Sequence, residues 1–186
     1  MINKLQGSST HAIVTTTVIV IGLMFHELYK STGIDFLGLI SPVNESKWEH
    51  WKIAFFPMLI IGVIEYIYSR PVKTSYIFPL VAGIAAFIII TFGGIELYEL
   101  FFGESHLPIH MLTFILGAIG GQFVRYRLME KLDVKASYTV TAWIILVLSI
   151  LVFAKFTYDP PRTKYFKDSL SNTYGIYKEK DDGIMK

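Results

Sequence analysis

The chain has 186 residues, a net charge of +2 at pH 7, and a composition that is 53% hydrophobic and only 17% charged. Soluble domains carry about a quarter charged residues and alternate apolar with polar positions, whereas in this chain the apolar residues come in long blocks. This pattern excludes a soluble enzyme, a disordered chain and a nucleic-acid-binding module. The absence of cysteine from the sequence excludes disulfides, thiolate metal sites and cysteine nucleophiles.

Five apolar segments each approach the ~20 residues that a helix needs to cross a hydrocarbon core of ~30 Å. In chain order they are predicted at 11–30, 42–69, 74–97, 108–125 and 137–156. Only Lys4 precedes the first segment and no small-residue cleavage site follows it, so we interpret it as an uncleaved span. We predict an all-α integral membrane bundle of about five helices over residues 1–157, and a polar C-terminal tail over 158–186.

The second span has the clearest predicted start. Ser41 is typical of an N-cap, Pro42 suits a first helical turn, and Glu45 would lie near the positive end of the helix dipole. We therefore expect a helix from Pro42 onward. Its first turns are too charged for hydrocarbon and belong in the membrane interface, where Trp48 and Trp51 are typical residues.

Basic residues predict the orientation, because lysine and arginine in short connections stay on the cytoplasmic side. With the N-terminus inside, most of them fall in the inner segments, which hold Lys4, Arg70, Lys73, Arg125, Arg127, Lys131 and Lys135. The outer loops hold Lys30, Lys47 and Lys52, and the C-terminal tail adds Arg162, Lys164 and Lys167 on the same side, close to the membrane. The sequence thus predicts a multi-pass protein of the cytoplasmic membrane, with its N-terminus inside and its C-terminus outside.

Up-and-down connectivity brings four of the five histidines and most of the acids of the spans to one end of the bundle. Spans 1 and 3 end there, and spans 2 and 4 begin there. The histidines are His26, His50, His106 and His110, and the acids are Glu27, Glu45, Glu49, Glu96, Glu99 and Glu104. Ionisable groups are costly in a membrane and mark functional sites, so we expect any chemistry at this end.

Helical spacing indicates which of these side chains face the bundle. His106 and His110 are four residues apart and share a stripe with Gly117 and Gly121, a small-residue pair of the kind at which helices pack closely. Two such histidines, a third imidazole and a carboxylate can form the open tetrahedral site that suits Zn²⁺ or another divalent metal. The candidate metal ligands are His26, His50, His106 and His110, and the candidate catalytic carboxylates are Glu45, Glu96 and Glu99.

A structural interpretation competes with the metal site, because charged and aromatic residues at helix ends also serve as interface anchors or ion pairs. The pairs expected on this interpretation are Glu49 with Lys52, Glu27 with Lys30, and Glu65 with Arg70 or Arg125. Three functions stay open: a metal-dependent hydrolase acting at the outer face, a small-solute or ion transporter or its partner subunit, and a non-catalytic scaffold or sensor. The predicted partners are the lipid bilayer and a membrane protein or a second copy of the chain.

The segment Ser-Pro-Val-Asn-Glu-Ser-Lys-Trp-Glu-His-Trp-Lys at 41–52 leads directly into the second span. It resembles the S-P-V-N-E-S-x-W-E-H-x-K block of a family of small bacterial multi-pass membrane proteins of unknown function. The resemblance extends over spans 1 to 4. It implies a bacterial origin and a cytoplasmic-membrane location, and it implies no activity.

Overall fold

The structure is a computed structural model that describes residues 8–69, 76–131 and 136–176, and it confirms the all-α prediction. Its five long helices are α1 (Ser8–Thr32), α2 (Lys47–Ser69), α3 (Ile77–Phe102), α4 (Leu107–Lys131) and α5 (Ala136–Tyr158). Short 3₁₀ turns lie at Leu37–Leu39 and Lys164–Phe166. All five helices are long and apolar enough to cross a membrane, which indicates a multi-pass membrane protein.

Helix α2 begins at Lys47, so the prediction of a start at Pro42 was wrong. Residues 41–46 form an irregular segment that precedes the helix. The Oγ of Ser46 accepts a hydrogen bond of 3.3 Å from the backbone N–H of Glu49, and Asn44 Oδ1 accepts one of 2.9 Å from the N–H of Ser46. These side chains satisfy backbone donors locally, which favours a turn followed by a capped helix over a longer helix.

Helix α2 is the most buried of the five long helices. Its residues Ala54 and Met58 belong to the apolar core, together with Leu80 and Phe87 of α3. At its start, the ring of Trp48 lies 5.2 Å from that of Phe153 in α5. Helix α2 carries Glu49, Lys52 and Glu65, all buried, and a central place surrounds these costly ionisable groups with protein instead of lipid.

Helices α3 and α4 pack closely along small residues. A Cβ atom added at Gly117 would lie 2.9 Å from the backbone oxygen of Phe87, and one added at Gly121 would lie 2.7 Å from the backbone oxygen of Gly83. The predicted G-x-x-x-G pair of α4 therefore faces α3, as expected for helices whose backbones approach each other in lipid.

The expected ion pair between Glu65 and Arg125 is present, and it lies toward the end of α2. Arg125 Nη1 contacts Glu65 Oε2, and neither residue is more than 8% exposed. Tyr126 donates a 2.9 Å hydrogen bond to Glu65 Oε1. Arg125 in turn donates a hydrogen bond to Tyr76 Oη. The other expected partner, Arg70, lies outside the described residues. This network joins α2, α4 and the start of α3 at one end of the bundle.

The described part of the C-terminal tail, 159–176, packs against the other end of the bundle, which we term the site end. Helices α1, α3 and α5 finish there, and α2 and α4 begin there. The side-chain amide of Asn44 donates a 3.0 Å hydrogen bond to the backbone oxygen of Gly175, and the Trp51 indole donates one of 2.8 Å to Tyr165 Oη. The tail thus covers the segment that precedes α2.

Candidate metal centre

Three potential ligands converge at the site end from three different segments. His26 lies near the end of α1, Glu45 lies in the 41–46 segment, and His50 lies in the first turn of α2. Their ligand atoms all lie within 4.8 Å of one another, and all three residues are partly buried. The Nε2 atoms of the two histidines are 3.1 Å apart, and Glu45 Oε2 lies 3.3 Å from His50 Nε2 and 3.9 Å from His26 Nε2.

The second nitrogen of each imidazole is held by a hydrogen-bond acceptor. His26 Nδ1 lies 2.6 Å from Glu27 Oε1, and His50 Nδ1 lies 2.8 Å from the backbone oxygen of Ser46. Carboxylates and carbonyls only accept hydrogen bonds, so the proton of each neutral ring belongs on Nδ1 and the lone pair on Nε2. Metal-binding histidines are oriented by the same kind of contact.

The spacing of these atoms fits a small divalent cation. The Nε2 atoms of His26 and His50 are 3.1 Å apart. Their lone pairs repel each other unless a proton or a cation lies between the two nitrogens. In a tetrahedral zinc site with Zn–N bonds of about 2.0–2.1 Å, the ligand atoms are about 3.3 Å apart. The two distances from His50 Nε2 are close to this value. The third distance, 3.9 Å from Glu45 Oε2 to His26 Nε2, is longer than this value.

The charges around the cluster also favour a cation. With a proton on Nε2 of His50, the hydrogen bond from that nitrogen and the nearby Lys30 ammonium outweigh partial burial and lower the pKa of Glu45 to about 2, so its carboxylate is ionised at neutral pH. Lys30 contacts the second oxygen of Glu45 and lies 3.8 Å from Glu27. The carboxylates of Glu27 and Glu45 then face the single ammonium of Lys30, which leaves one negative charge. A proton on the histidine pair or a divalent metal balances that charge. Binding a metal at these nitrogens therefore displaces protons.

A pocket of about 180 Å³ lies beside the cluster, between α2, α3 and α4. Glu45 and His50 line one part of it. The remaining polar lining comes from Lys47, Thr91, Glu96, His110 and Ser169, and the apolar lining from Ile53, Phe92, Ile95 and Phe114. The pocket therefore presents polar groups from three helices and the tail next to two of the three potential ligands.

The other carboxylates singled out in the sequence, Glu96 and Glu99, form a network beside this pocket. Lys47 Nζ lies 2.7 Å from Glu96 Oε1 and 2.5 Å from Glu99 Oε2. Ser105 donates a 2.7 Å hydrogen bond to Glu99 Oε1, and its Oγ also lies 2.7 Å from His110 Nε2. Because the single hydroxyl proton is used on Glu99, the Nε2 of His110 must be the donor to Ser105.

The structure thus divides the seven candidate residues into two groups and one outlier. It brings together His26, Glu45 and His50, and it places Glu96, Glu99 and His110 in the adjacent network. His106 is exposed and precedes the first residue of α4, Leu107. Helical spacing from His110 therefore does not describe where its side chain points.

Sequence analysis missed the groups that orient the two imidazoles. Glu27 was expected at this end of the bundle and as a partner of Lys30, but not as an acceptor for His26, although its position next to His26 is a visible signal. The backbone oxygen of Ser46 leaves no signal in the sequence, because every residue carries a carbonyl group. The C-terminal residues that approach Glu45 were missed because more than a hundred residues separate them along the chain.

The chain belongs to the family of unknown function DUF6512, whose model matches residues 3–176. The match includes all five helices, the cluster of His26, Glu45 and His50, and the described part of the tail. Neither a curated protein nor a solved structure matches the chain. The family agrees with the uncharacterised family expected from residues 41–52, and its description assigns no activity.

Proposed function

We propose that this protein is a metal-dependent hydrolase embedded in the cytoplasmic membrane, with a divalent metal held by His26, Glu45 and His50 at the extracytoplasmic face. The observation that carries the proposal is the 3.1 Å approach of two Nε2 atoms whose rings are both oriented through Nδ1. The location follows from the distribution of lysine and arginine in the sequence. Three protein ligands leave a fourth position for water or substrate, as in hydrolytic zinc sites.

The pocket beside the ligands supplies the remaining groups for hydrolysis. A divalent metal at this position would polarise a substrate carbonyl and lower the pKa of a bound water to about 7. Glu96 lines the pocket and is half exposed, so its carboxylate can accept the proton of the attacking water. Lys47 lies between Glu96 and Glu99 and places a positive charge beside the pocket.

The reaction that these groups support is hydrolysis of an ester or amide. The water oxygen bonds to the carbonyl carbon while its proton passes to Glu96. The bond from that carbon to the leaving oxygen or nitrogen then breaks, and Glu96 returns the proton to the leaving group. The mixed polar and apolar lining suits the acyl or peptide group next to such a bond.

The packing of the bundle argues against a transporter. A transport pathway needs a polar cavity that continues to the opposite membrane face. Val18, Phe87 and Ala118 lie near the middle of their helices and are fully buried. Beyond them, the buried pair of Glu65 and Arg125 occupies the opposite end of the bundle. A pocket of about 650 Å³ also lies between α1 and α4 toward that end. The described residues thus support two pockets with buried apolar side chains at the depth between them, and no continuous polar pathway.

Metal analysis of detergent-purified protein tests the proposal. After zinc is supplied and excess removed, the wild type should retain a stoichiometric amount of metal, and the His26→Ala/His50→Ala variant should retain none. His106→Ala is the matched control, since it removes an exposed histidine at the same end of the bundle. Absence of metal from the wild type, or equal metal in the double variant, would overturn the metal centre.

Turnover of fluorogenic ester and peptide substrates in micelles tests the hydrolase itself. The zinc-loaded wild type should hydrolyse one of these classes and lose activity with a chelator. Glu96→Gln should keep its metal and lose turnover by about 10²–10⁴-fold, the range typical of a general base. A Glu96→Gln variant as active as the wild type would remove this residue from the mechanism.

A further inference from the structure

Both peptide groups of Glu45 are held by the C-terminal tail. The backbone N–H of Glu45 donates a 3.1 Å hydrogen bond to Asp168 Oδ1, and its backbone oxygen accepts one of 3.3 Å from Ser169 Oγ. Ser169 also lines the pocket beside the cluster. The tail therefore contacts the acidic ligand of the proposed metal centre directly, although it contributes none of the three ligand atoms.

Asp168 is itself held in one position. It is 7% exposed, and its carboxylate accepts 3.2 Å hydrogen bonds from the backbone N–H groups of Leu170 and Ser171. Its own N–H donates to the backbone oxygen of Thr173 at 2.9 Å. Burial alone would raise the pKa of Asp168, but hydrogen bonds from Ser171, Leu170 and Glu45 lower it, which keeps the acceptor ionised.

The turn that carries Asp168 is anchored on both sides. On α5, the backbone oxygen of Thr157 accepts a 3.0 Å hydrogen bond from the N–H of Ile176. On the 41–46 segment, Asn44 donates a 3.0 Å hydrogen bond to the backbone oxygen of Gly175. The segment 164–176 consequently connects the end of α5 to the peptide that presents the Glu45 side chain.

We infer that Asp168 is a positioning residue of the metal centre, which holds the Glu45 backbone for metal binding. This inference rests on the proposed function. Fixing the ligand backbone before binding removes conformational entropy that the metal would otherwise have to offset. Partners that orient metal ligands affect metal affinity by about 10–100-fold.

Zinc affinity, measured by competition with a chromophoric chelator, tests the inference in the full-length chain. Asp168→Ala should weaken zinc binding by about 10–100-fold. Asp168→Asn keeps an oxygen acceptor for the Glu45 N–H and should restore most of the affinity. Tyr165→Phe is the matched control, since it loses the hydrogen bond to Trp51 and leaves Glu45 untouched. Equal affinity in Asp168→Ala and the wild type would overturn the inference and leave the metal centre intact.

Hydrogen exchange in the metal-free protein separates this result from a failure of the proposed function. In Asp168→Ala, the peptide containing Glu45 should exchange faster than in the wild type, while peptides from the middle of α2 should not change. A uniform increase would indicate general destabilisation and count against a positioning role. If the wild type bound no zinc, the proposed function would fail. If exchange at Glu45 were the same in Asp168→Ala and the wild type, the contact between Asp168 and Glu45 would be excluded as well.

Discussion

Lys52 Nζ lies 2.5 Å from Glu49 Oε2 at the site end, and the side chains of both residues are almost completely buried. Lys52 also donates hydrogen bonds of 2.6 Å to the backbone oxygen of Gly38 and 2.7 Å to Thr157 Oγ1. The expected pair of Glu49 with Lys52 is therefore confirmed. It ties the 3₁₀ turn and α5 to the start of α2, close to His50.

Replacing Lys52 with methionine should destabilise the protein strongly, because the Glu49 carboxylate would stay buried without its partner. Removing one member of a buried pair costs about 3–5 kcal/mol. Thermal unfolding in detergent, followed by circular dichroism, should show a large fall in Tm. Lys47→Met is the control: its side chain is 39% exposed, and exposed ion pairs contribute about 0–1 kcal/mol. Similar falls in both variants would contradict a structural role specific to Lys52.

Gly121→Ala should destabilise the contact between α3 and α4. The new Cβ would lie 2.7 Å from the backbone oxygen of Gly83, which cannot move without shifting α3. A Cβ at Gly93, also within α3, meets nothing within 4 Å. Gly93→Ala should therefore leave the Tm unchanged or raise it, since alanine is favoured over glycine inside a helix by about 0.5–1 kcal/mol. The prediction fails if the two variants unfold at the same temperature.

Glu45 should make stability depend on pH in the metal-free protein. The hydrogen bond from His50, together with Lys30, lowers its pKa from 4.5 to about 2. A carboxyl group with a lowered pKa contributes stability that is complete above the unfolded value and is lost as the pH falls toward the folded value. The Tm difference between wild type and Glu45→Gln should therefore shrink between pH 4.5 and 2 in the presence of a chelator. A constant difference over this range would contradict the ion pair.

Gly175→Ala should release the tail from the end of α5. Gly175 has φ +62°, and an added Cβ would lie 2.8 Å from the backbone oxygen of Thr157. Gly33 has φ +64° with nothing within 4 Å of its Cβ position, so Gly33→Ala carries the conformational cost without the clash. Limited proteolysis of residues 159–176 should be faster in Gly175→Ala alone. Equal cleavage of both variants would show that the approach to Thr157 does not hold the tail.

The five helices could be predicted because apolar blocks of about 20 residues have the length that a helix needs to cross the hydrocarbon core. Their ends could not be predicted as well. Helix α3 continues to Phe102 and α4 to Lys131, past the predicted ends at 97 and 125, since a helix does not have to stop where the hydrocarbon does. The start at Pro42 was wrong because hydrogen bonds of Asn44 and Ser46 close a local turn before the helix begins.

The position of the candidate site along the membrane normal could be predicted from the sequence, but the set of residues that form it could not. Up-and-down connectivity was enough to bring His26, His50 and Glu45 to one end of the bundle. The choice of these three over His106 and His110 depended on how α1 packs against α2, and on where α4 begins. A residue that precedes its helix, as His106 does, has no defined helical phase.

The sequence by itself determined the solvent of this protein, the number of its membrane-spanning helices and the end at which its ionisable side chains gather, because these properties follow from composition and chain direction. Only the tertiary structure decided which side chains meet. The 3.1 Å separation between the Nε2 atoms of His26 and His50 depends on how α1 and α2 are rotated and packed against each other. The hydrogen bond from the Glu45 N–H to Asp168 depends on how the chain folds back after α5. No local pattern in the sequence encodes either of these two contacts.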